Sequence, residues 1–238
     1  ILALGIITVF VVFFWLAFEQ IGSSLNLFAA QRTNRVVGGW LASLLPEGEV
    51  PAAWFQAVNP LFVLLLAPMI AALWHRLGQR GPTTATKMAI GLLLLGGAYV
   101  IMVAGAAASD RGTLVSPGYL VSFYFVYSVG ELCFLPAGFS FVGQAAPRRM
   151  ASMLMGLWFT ANFVANLLGG YLAGTIGEIE RGALVRVFGG QADFFLIFVV
   201  SCTTAGVLLW LLIPLIRRLM KSAPASYSPM PAAIDSPL

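Results

Sequence analysis

The sequence predicts an all-α membrane protein built as a bundle of six transmembrane helices. Two observations carry this. Of 238 residues, 60% are hydrophobic and only 9% charged, whereas an ordinary soluble domain is roughly 25% charged; a water-soluble globule is excluded. The apolar residues also gather into runs of the ~20 residues that a helix needs to cross the hydrocarbon layer, and there are six such runs, at about 1–29, 53–74, 86–107, 119–145, 151–176 and 194–216.

The first run holds seventeen almost unbroken apolar residues that end in FWLAFEQIGSSLNLF, where Glu19 is the only charge. The second contains Asn59-Pro60 and Ala67-Pro68, so it is expected to be interrupted, because proline cannot donate the helical hydrogen bond. The third run, with GLLLLGG, carries the small-residue pattern of close helix packing. The fourth reads YSVGELCFLPAGFS around Glu131, with Pro136 unable to donate to the carbonyl of Leu132 and with Gly130 and Gly138 weakening the helix on either side. The fifth, MGLWFTANFVANLLGG, spaces Trp158, Asn162 and Asn166 at i, i+4 and i+8, which puts them on one face. The sixth ends before Arg217 and Arg218.

Turn sequences separate the runs: GQRGP, SDRG and APRR. Sorted by loop parity, the charges are strongly asymmetric. One set of loops holds Arg76, Arg80, Lys87, Arg148, Arg149, Arg217, Arg218 and Lys221, eight cations without an anion. The other mixes Arg32, Arg35, Arg111, Arg181 and Arg186 with Glu47, Glu49, Asp110, Glu178, Glu180 and Asp193. By the positive-inside rule the cation-rich set is cytoplasmic, and with it both ends of the chain. The net charge of +4 is explained by this placement and gives no patch for nucleic acid. The segment from 222 to 238 is Pro- and Ser-rich and is expected to be a disordered cytoplasmic tail. Since Ile1 already lies within an apolar run, the chain reads as a piece of a longer protein.

Chemistry is sparse. Cys133 and Cys202 lie in apolar runs without metal-ligand spacing and read as packing residues. The only histidine, His75, sits at a helix end beside Arg76, and no nucleotide loop, Ser/His/Asp set or metalloprotease motif is present. Only Glu19 and Glu131 place carboxylates inside spans, where each costs several kcal/mol and either hydrogen-bonds to a neighbouring helix or serves a cavity, an ion or a proton. Asn59 has two readings, a cap for the broken helix or a contact to substrate. Trp158 likewise reads either as helix packing or as part of a binding face.

Three stretches together resemble the C-terminal half of the proton-dependent oligopeptide transporter family of the major facilitator superfamily. FEQIGSSLNLF (18–28) is similar to that family's seventh helix and NPLFVLLLAPMIAALWHRLGQRGP (59–82) to its eighth. GELCFLPAGFS (130–140) and MGLWFTANFVANLLGG (155–170) are similar to its tenth and eleventh. The resemblance runs to about Lys221 and implies one six-helix bundle of a twelve-helix carrier, residues 1–221. It also implies proton-coupled symport of di- and tripeptides across the inner membrane by alternating access, with the proton as coupling ion and no cofactor. On this resemblance Glu19 joins a proton-linked salt bridge, Glu131 and Asn59 receive the peptide amino terminus, and Trp15 and Trp158 line side-chain pockets; Asn162, one turn from Trp158 on the same helix face, is a candidate substrate contact by its spacing. Glu131 is thereby given both a proton-coupling and a substrate-binding role. The family often has serine four residues after the tenth-helix glutamate, where this chain has Leu135, so preference at the amino-terminal site is expected to differ. The partners implied are peptides, protons, the lipid bilayer and an N-terminal six-helix bundle. Two other readings compete: a carrier of nitrate or a modified peptide on the same fold, and a non-transporting membrane scaffold, not an enzyme in either case.

The topology is open to direct test. With Gln79→Cys or Ala146→Cys introduced singly into the intact protein, a membrane-impermeant thiol reagent is expected to label neither from outside the cell; outside labelling of either would invert the assignment.

Overall fold

The computed structural model describes residues 2–145, 150–183 and 186–221. Arg148, Arg149, Ala146 and the expected tail, 222–238, lie outside the described residues. Six helical segments among the described residues are long and apolar enough to cross a membrane: Leu2–Gln31, Ala52–Leu77, Thr84–Ser109, Gly118–Gln144, Ser152–Gly174 and Gln191–Met220. These are the six runs of the sequence, with ends displaced by a few residues because polar end turns continue the helices beyond the apolar stretch.

The first span is not one helix. It comprises α1 (Leu2–Phe18), a tight 3₁₀ turn at Glu19–Gly22 and α2 (Ser24–Gln31). The expected interruptions of the second span are absent. After a 3₁₀ stretch at Ala52–Ala57, α3 runs unbroken from Val58 to Leu77 through Pro68. Pro60 falls in its first turn, where a missing N–H is harmless. Then follow α4 (Thr84–Ser109), α5 (Gly118–Ala145), α6 (Ala151–Gly174), the short α7 (Ile176–Glu180) and α8 (Gln191–Lys221). Helix α5 also continues through Pro136, so proline there removes one hydrogen bond without turning the chain.

Helix α4 is the centre of the packing, lying against α5 on one side and α8 on the other. Met88, Leu92, Leu95, Tyr99, Met102 and Ala106 are all fully or almost fully buried, a spacing of alternating four and three residues that keeps one stripe turned inward. Its crossing with α5 is set by Gly91 and Gly130. A Cβ on Gly91 would stand 2.8 Å from the Gly130 carbonyl oxygen and from the Phe134 Cβ, and one on Gly130 would stand 3.0 Å from the Gly91 carbonyl oxygen. Without side chains at this point the two backbones approach closely, which maximises dispersion contact where lipid offers no hydrophobic drive between helices.

At the periphery α6 lies mainly on α1, and α3 touches the bundle chiefly through α5. No residue of α3 is buried, and Leu61, Leu64, Leu65 and Met69 are exposed. One side of the bundle therefore presents a helix with apolar residues all round, which is how a helix facing lipid or another bundle reads.

The mixed-charge loops close one end. Arg32 reaches Asp110 and Glu180, each at 3.6 Å, and Arg35 pairs with Glu49 at 2.8 Å. Asp193, fully buried at the start of α8, accepts hydrogen bonds from the backbone N–H groups of Val187, Phe188 and Gly189. Three donors on one carboxylate compensate its desolvation. The Arg32 pairs tie the ends of the first, third and fifth spans together, and the Ala192 N–H, donating to the Asp110 Oδ2 at 3.3 Å, joins the start of the sixth.

The α4–α5 crossing predicts opposite outcomes for one substitution at two glycines of the same helix. Gly91→Ala in the intact protein should lower thermal stability in detergent by about 1–3 kcal/mol through overpacking. Gly97→Ala, where an added Cβ meets nothing within 4 Å, should be neutral or stabilising by about 0.5–1 kcal/mol. Equal effects in a melting assay would show that the crossing is not limited by these backbones.

Candidate functional site

Glu131 is the fourteenth residue of the 28-residue α5, so about 20 Å of helix lies on either side of it at 1.5 Å per residue. This is the middle of the bilayer, where a carboxylate is least tolerable. The structure supplies one partner. Asn59, in the first turn of α3, donates from Nδ2 to the Glu131 Oε2 at 3.1 Å. Ser128, one turn back on α5, donates to the Asn59 Oδ1 at 2.6 Å and also lies 2.7 Å from the Tyr124 carbonyl oxygen. The hydroxyl fixes which way the amide points, oxygen to Ser128 and nitrogen to the carboxylate. Asn59 is therefore not a helix cap: the cap position is Ala57, without a side-chain hydrogen bond.

An amide dipole does not neutralise a carboxylate. Among the described residues no cation pairs with Glu131, and its Oε1 accepts no hydrogen bond. Leu135, one turn further along α5, packs against the apolar core and adds no donor. The site thus presents a half-buried carboxylate, oriented through one oxygen and open at the other. It can take a proton or a cationic group, which is the chemistry of an ammonium receptor or a proton carrier.

Glu19 stands at the first residue of the 3₁₀ turn that breaks the first span. It is half-exposed and makes no hydrogen bond or ion pair with any described residue. The turn itself is held from the neighbouring helices. Tyr99 of α4 donates to the Ala17 carbonyl oxygen at 2.6 Å, and Tyr127 of α5 donates to that of Phe18 at 3.2 Å, satisfying acceptors at the end of α1. Gln20, buried, gives its Nε2 to the Leu16 carbonyl oxygen and, at 3.5 Å, to that of Gly169 on α6, while its Oε1 accepts from the hydroxyls of Ser23 and Ser24. The consequence is a clamped turn whose one loose polar group is the Glu19 carboxylate.

The aromatic residues connect these places. Phe18 lies on Tyr127 with ring centroids 5.2 Å apart, Phe14 stacks on Phe134 at 4.0 Å, and Phe134 meets Trp158 at 6.3 Å. Trp15 packs edge-on to Phe14 and Phe18. Trp158 is 2% exposed and fills the space left by Gly138, and neither indole N–H, of Trp15 or of Trp158, has a hydrogen-bond partner. Asn162 lies one turn along α6 and accepts from Asn166, which is itself exposed. The expected common face of Trp158, Asn162 and Asn166 therefore grades from buried to exposed along its length.

Glu131 and Asn59 are brought into contact. Among the described residues, Trp15, Glu19, Trp158 and Asn162 make no hydrogen bond or ion pair with that pair. Sequence reasoning missed Ser128, Tyr127, Tyr99 and Gln20. Ser128 was signalled by its place three residues before Glu131, on the same helix face. The tyrosines carried no comparable mark, because their role depends on where α1 ends. Among the described residues no three His, Cys, Asp or Glu side chains converge as a metal site would require.

Comparison with known proteins agrees with this architecture. The profile of the POT family, PTR2, matches residues 1–187. A peptide transporter of Yersinia enterocolitica, YePEPT, is 37% identical over 221 residues, which is 91% of this chain and 40% of that protein. Dipeptide and tripeptide permease A of Escherichia coli is 37% identical over 164 residues, covering 68% of this chain and 31% of the permease. Among solved structures, a glutamine mutant of the peptide transporter POT in complex with alafosfalin superimposes with a TM-score of 0.78 at 30% identity, over 92% of this chain and 41% of the other. A POT family transporter in complex with 5-aminolevulinic acid gives 0.76 at 26% identity. The chain spans about two fifths of the relatives that it matches over most of its own length, the share that one six-helix bundle of two would occupy. It is a multi-pass membrane protein with the fold of a major facilitator bundle, and it belongs to the POT family.

Proposed function

We propose that the intact protein carries di- and tripeptides across the inner membrane with protons by alternating access, that residues 1–221 are its C-terminal bundle with both ends cytoplasmic, and that Glu131 with Asn59 receives the peptide's amino-terminal ammonium. The observation that carries this reading is the Asn59–Glu131 hydrogen bond of 3.1 Å at mid-span, a prepared carboxylate without a cation of its own. The family supports peptides as the substrate class, and a bound ammonium supplies the missing positive charge. In this reading Trp15, Trp158 and Asn162 shape side-chain subsites, and the two unpartnered indole N–H groups are donors available to the peptide after rearrangement. The coupling ion is the proton, without a cofactor.

Glu19 is assigned the proton-linked gate. Its carboxylate is loose on a clamped turn, so a cation from the other bundle can hold it and protonation can release that cation. The scaffold reading has less support, since a structural carboxylate would be expected to be hydrogen-bonded within the bundle, as Asp193 is.

Loss of a buried charge-assisted contact costs about 1.5–3 kcal/mol, roughly tenfold to a hundredfold in affinity. Glu131→Gln in the intact transporter should therefore weaken free dipeptides by that factor while changing little for peptides with an acetylated amino terminus, which should bind poorly to the unmodified protein. Equal losses in calorimetry would remove Glu131 as the ammonium's partner. For Glu19→Gln the expected outcome in liposomes is loss of pH-gradient-driven accumulation with exchange of pre-loaded peptide retained; unchanged accumulation would leave Glu19 a structural role only.

A further inference from the structure

At the opposite end of the bundle from the ion-paired loops, α3, α4 and α5 enclose a cleft of about 430 Å³, within the range of small-ligand clefts, about 300–1,000 Å³. Its lining is graded. Near the helix ends it is polar, with Thr84, Lys87 and Ser140; deeper it is apolar, with Ala67, Leu132 and Pro136. The depth follows from the helices: Ala67 lies seven residues inward from Trp74 on α3, and Leu132 eight inward from Ser140 on α5, about 10–12 Å at 1.5 Å per residue.

Lys87 is the charge in this cleft. Its ammonium stands over the Trp74 ring, 4.6 Å from the centroid. The ring attracts the cation without neutralising it. No carboxylate is available nearby: among the described residues this end carries His75, Arg76, Arg80, Lys87, Arg217, Arg218 and Lys221 and no Asp or Glu. A cation at the polar mouth and an apolar groove running inward from it fit an amphiphile with an anionic head.

We propose that this cleft is a binding site for one anionic phospholipid, with the phosphate at Lys87 and the start of an acyl chain along Ala67, Leu132 and Pro136. Charge complementarity selects the head, since interhelical basic pockets at membrane depth attract anionic headgroups. The apolar floor selects a lipid over a soluble anion, which would leave that surface unfilled. A lipid seated here would also pack against α5 at Pro136, where the Leu132 carbonyl has lost its helical donor, five residues from Glu131.

The test is native mass spectrometry of the intact transporter in mild detergent with equal phosphatidylglycerol and phosphatidylcholine. The unmodified protein is expected to retain phosphatidylglycerol preferentially, by about fivefold for one headgroup cation. Lys87→Gln should lose the preference and Lys87→Arg should keep it. Arg217→Gln should also keep it, because Arg217 lies at the same end but outside the cleft. Ala71 also lines the groove, and Ala71→Phe, which fills it and leaves Lys87 in place, should lower retention of both lipids and so tests the site even if Lys87→Gln misfolds. No preference in the unmodified protein, equal loss with Lys87→Gln and Arg217→Gln, or unaltered retention in Ala71→Phe would overturn the proposal. Displacement of the lipid by inorganic phosphate would do so too, assigning the site to a soluble anion. The readout uses no peptide, so it stands or falls separately from the transport reading.

Discussion

A carboxylate half-way along an apolar helix has to be answered by something, and in this bundle Asn59 answers only in part. That incomplete compensation is the constraint from which the rest of the site follows. The amide is held by Ser128, so it cannot turn to offer more; Leu135 offers nothing; and no described cation lies within reach. A membrane bundle keeps such a group where a ligand or a proton completes it. Asp193 shows the contrast within the same chain. It is buried as completely as any residue here, and three backbone N–H groups satisfy it, which is how a carboxylate is kept when its only work is to hold a loop.

Rigidity around the open site comes from α4. The close approach of α4 and α5 at Gly91 and Gly130 fixes α5 along its length, and α5 in turn positions Ser128 and Glu131. Helix α3, which carries Asn59, is by comparison attached chiefly through one neighbour and has no buried residue. The two halves of the Asn59–Glu131 contact therefore sit on elements of very different attachment. The physical consequence is that α3 can shift relative to α5 at lower cost than α4 can.

The break in the first span belongs to the same design. Once α1 ends at Phe18, the carbonyls of Ala17 and Phe18 need donors that lipid cannot supply, and Tyr99 and Tyr127 provide them from the two best-packed helices. Tyr127 is one turn from Glu131, so the helix that bears Glu131 also grips the turn that bears Glu19. Aromatic contacts through Phe18, Phe14 and Phe134 fill the space between them.

How much of this was legible beforehand depends on whether a feature is local. The six spans, their all-helical character and the two intramembrane carboxylates were determined by the sequence itself, because length, apolar run and charge are sums over neighbouring residues and the bilayer imposes one length scale. The residue types at 19, 59 and 131 were likewise readable as costly. Tertiary structure decided the rest. Proline at 68 and 136 removes a helical hydrogen bond without ending the helix, so the expected interruption of α3 did not occur and the actual break came at Glu19, beyond α1, with no proline at all. Whether Asn59 capped its own helix or reached another was a question of distance across 72 positions of chain, which no spacing rule encodes. The same holds for Trp158, which only the hollow at Gly138 places in the interior: a side chain's role in a bundle is set by what the facing helix lacks.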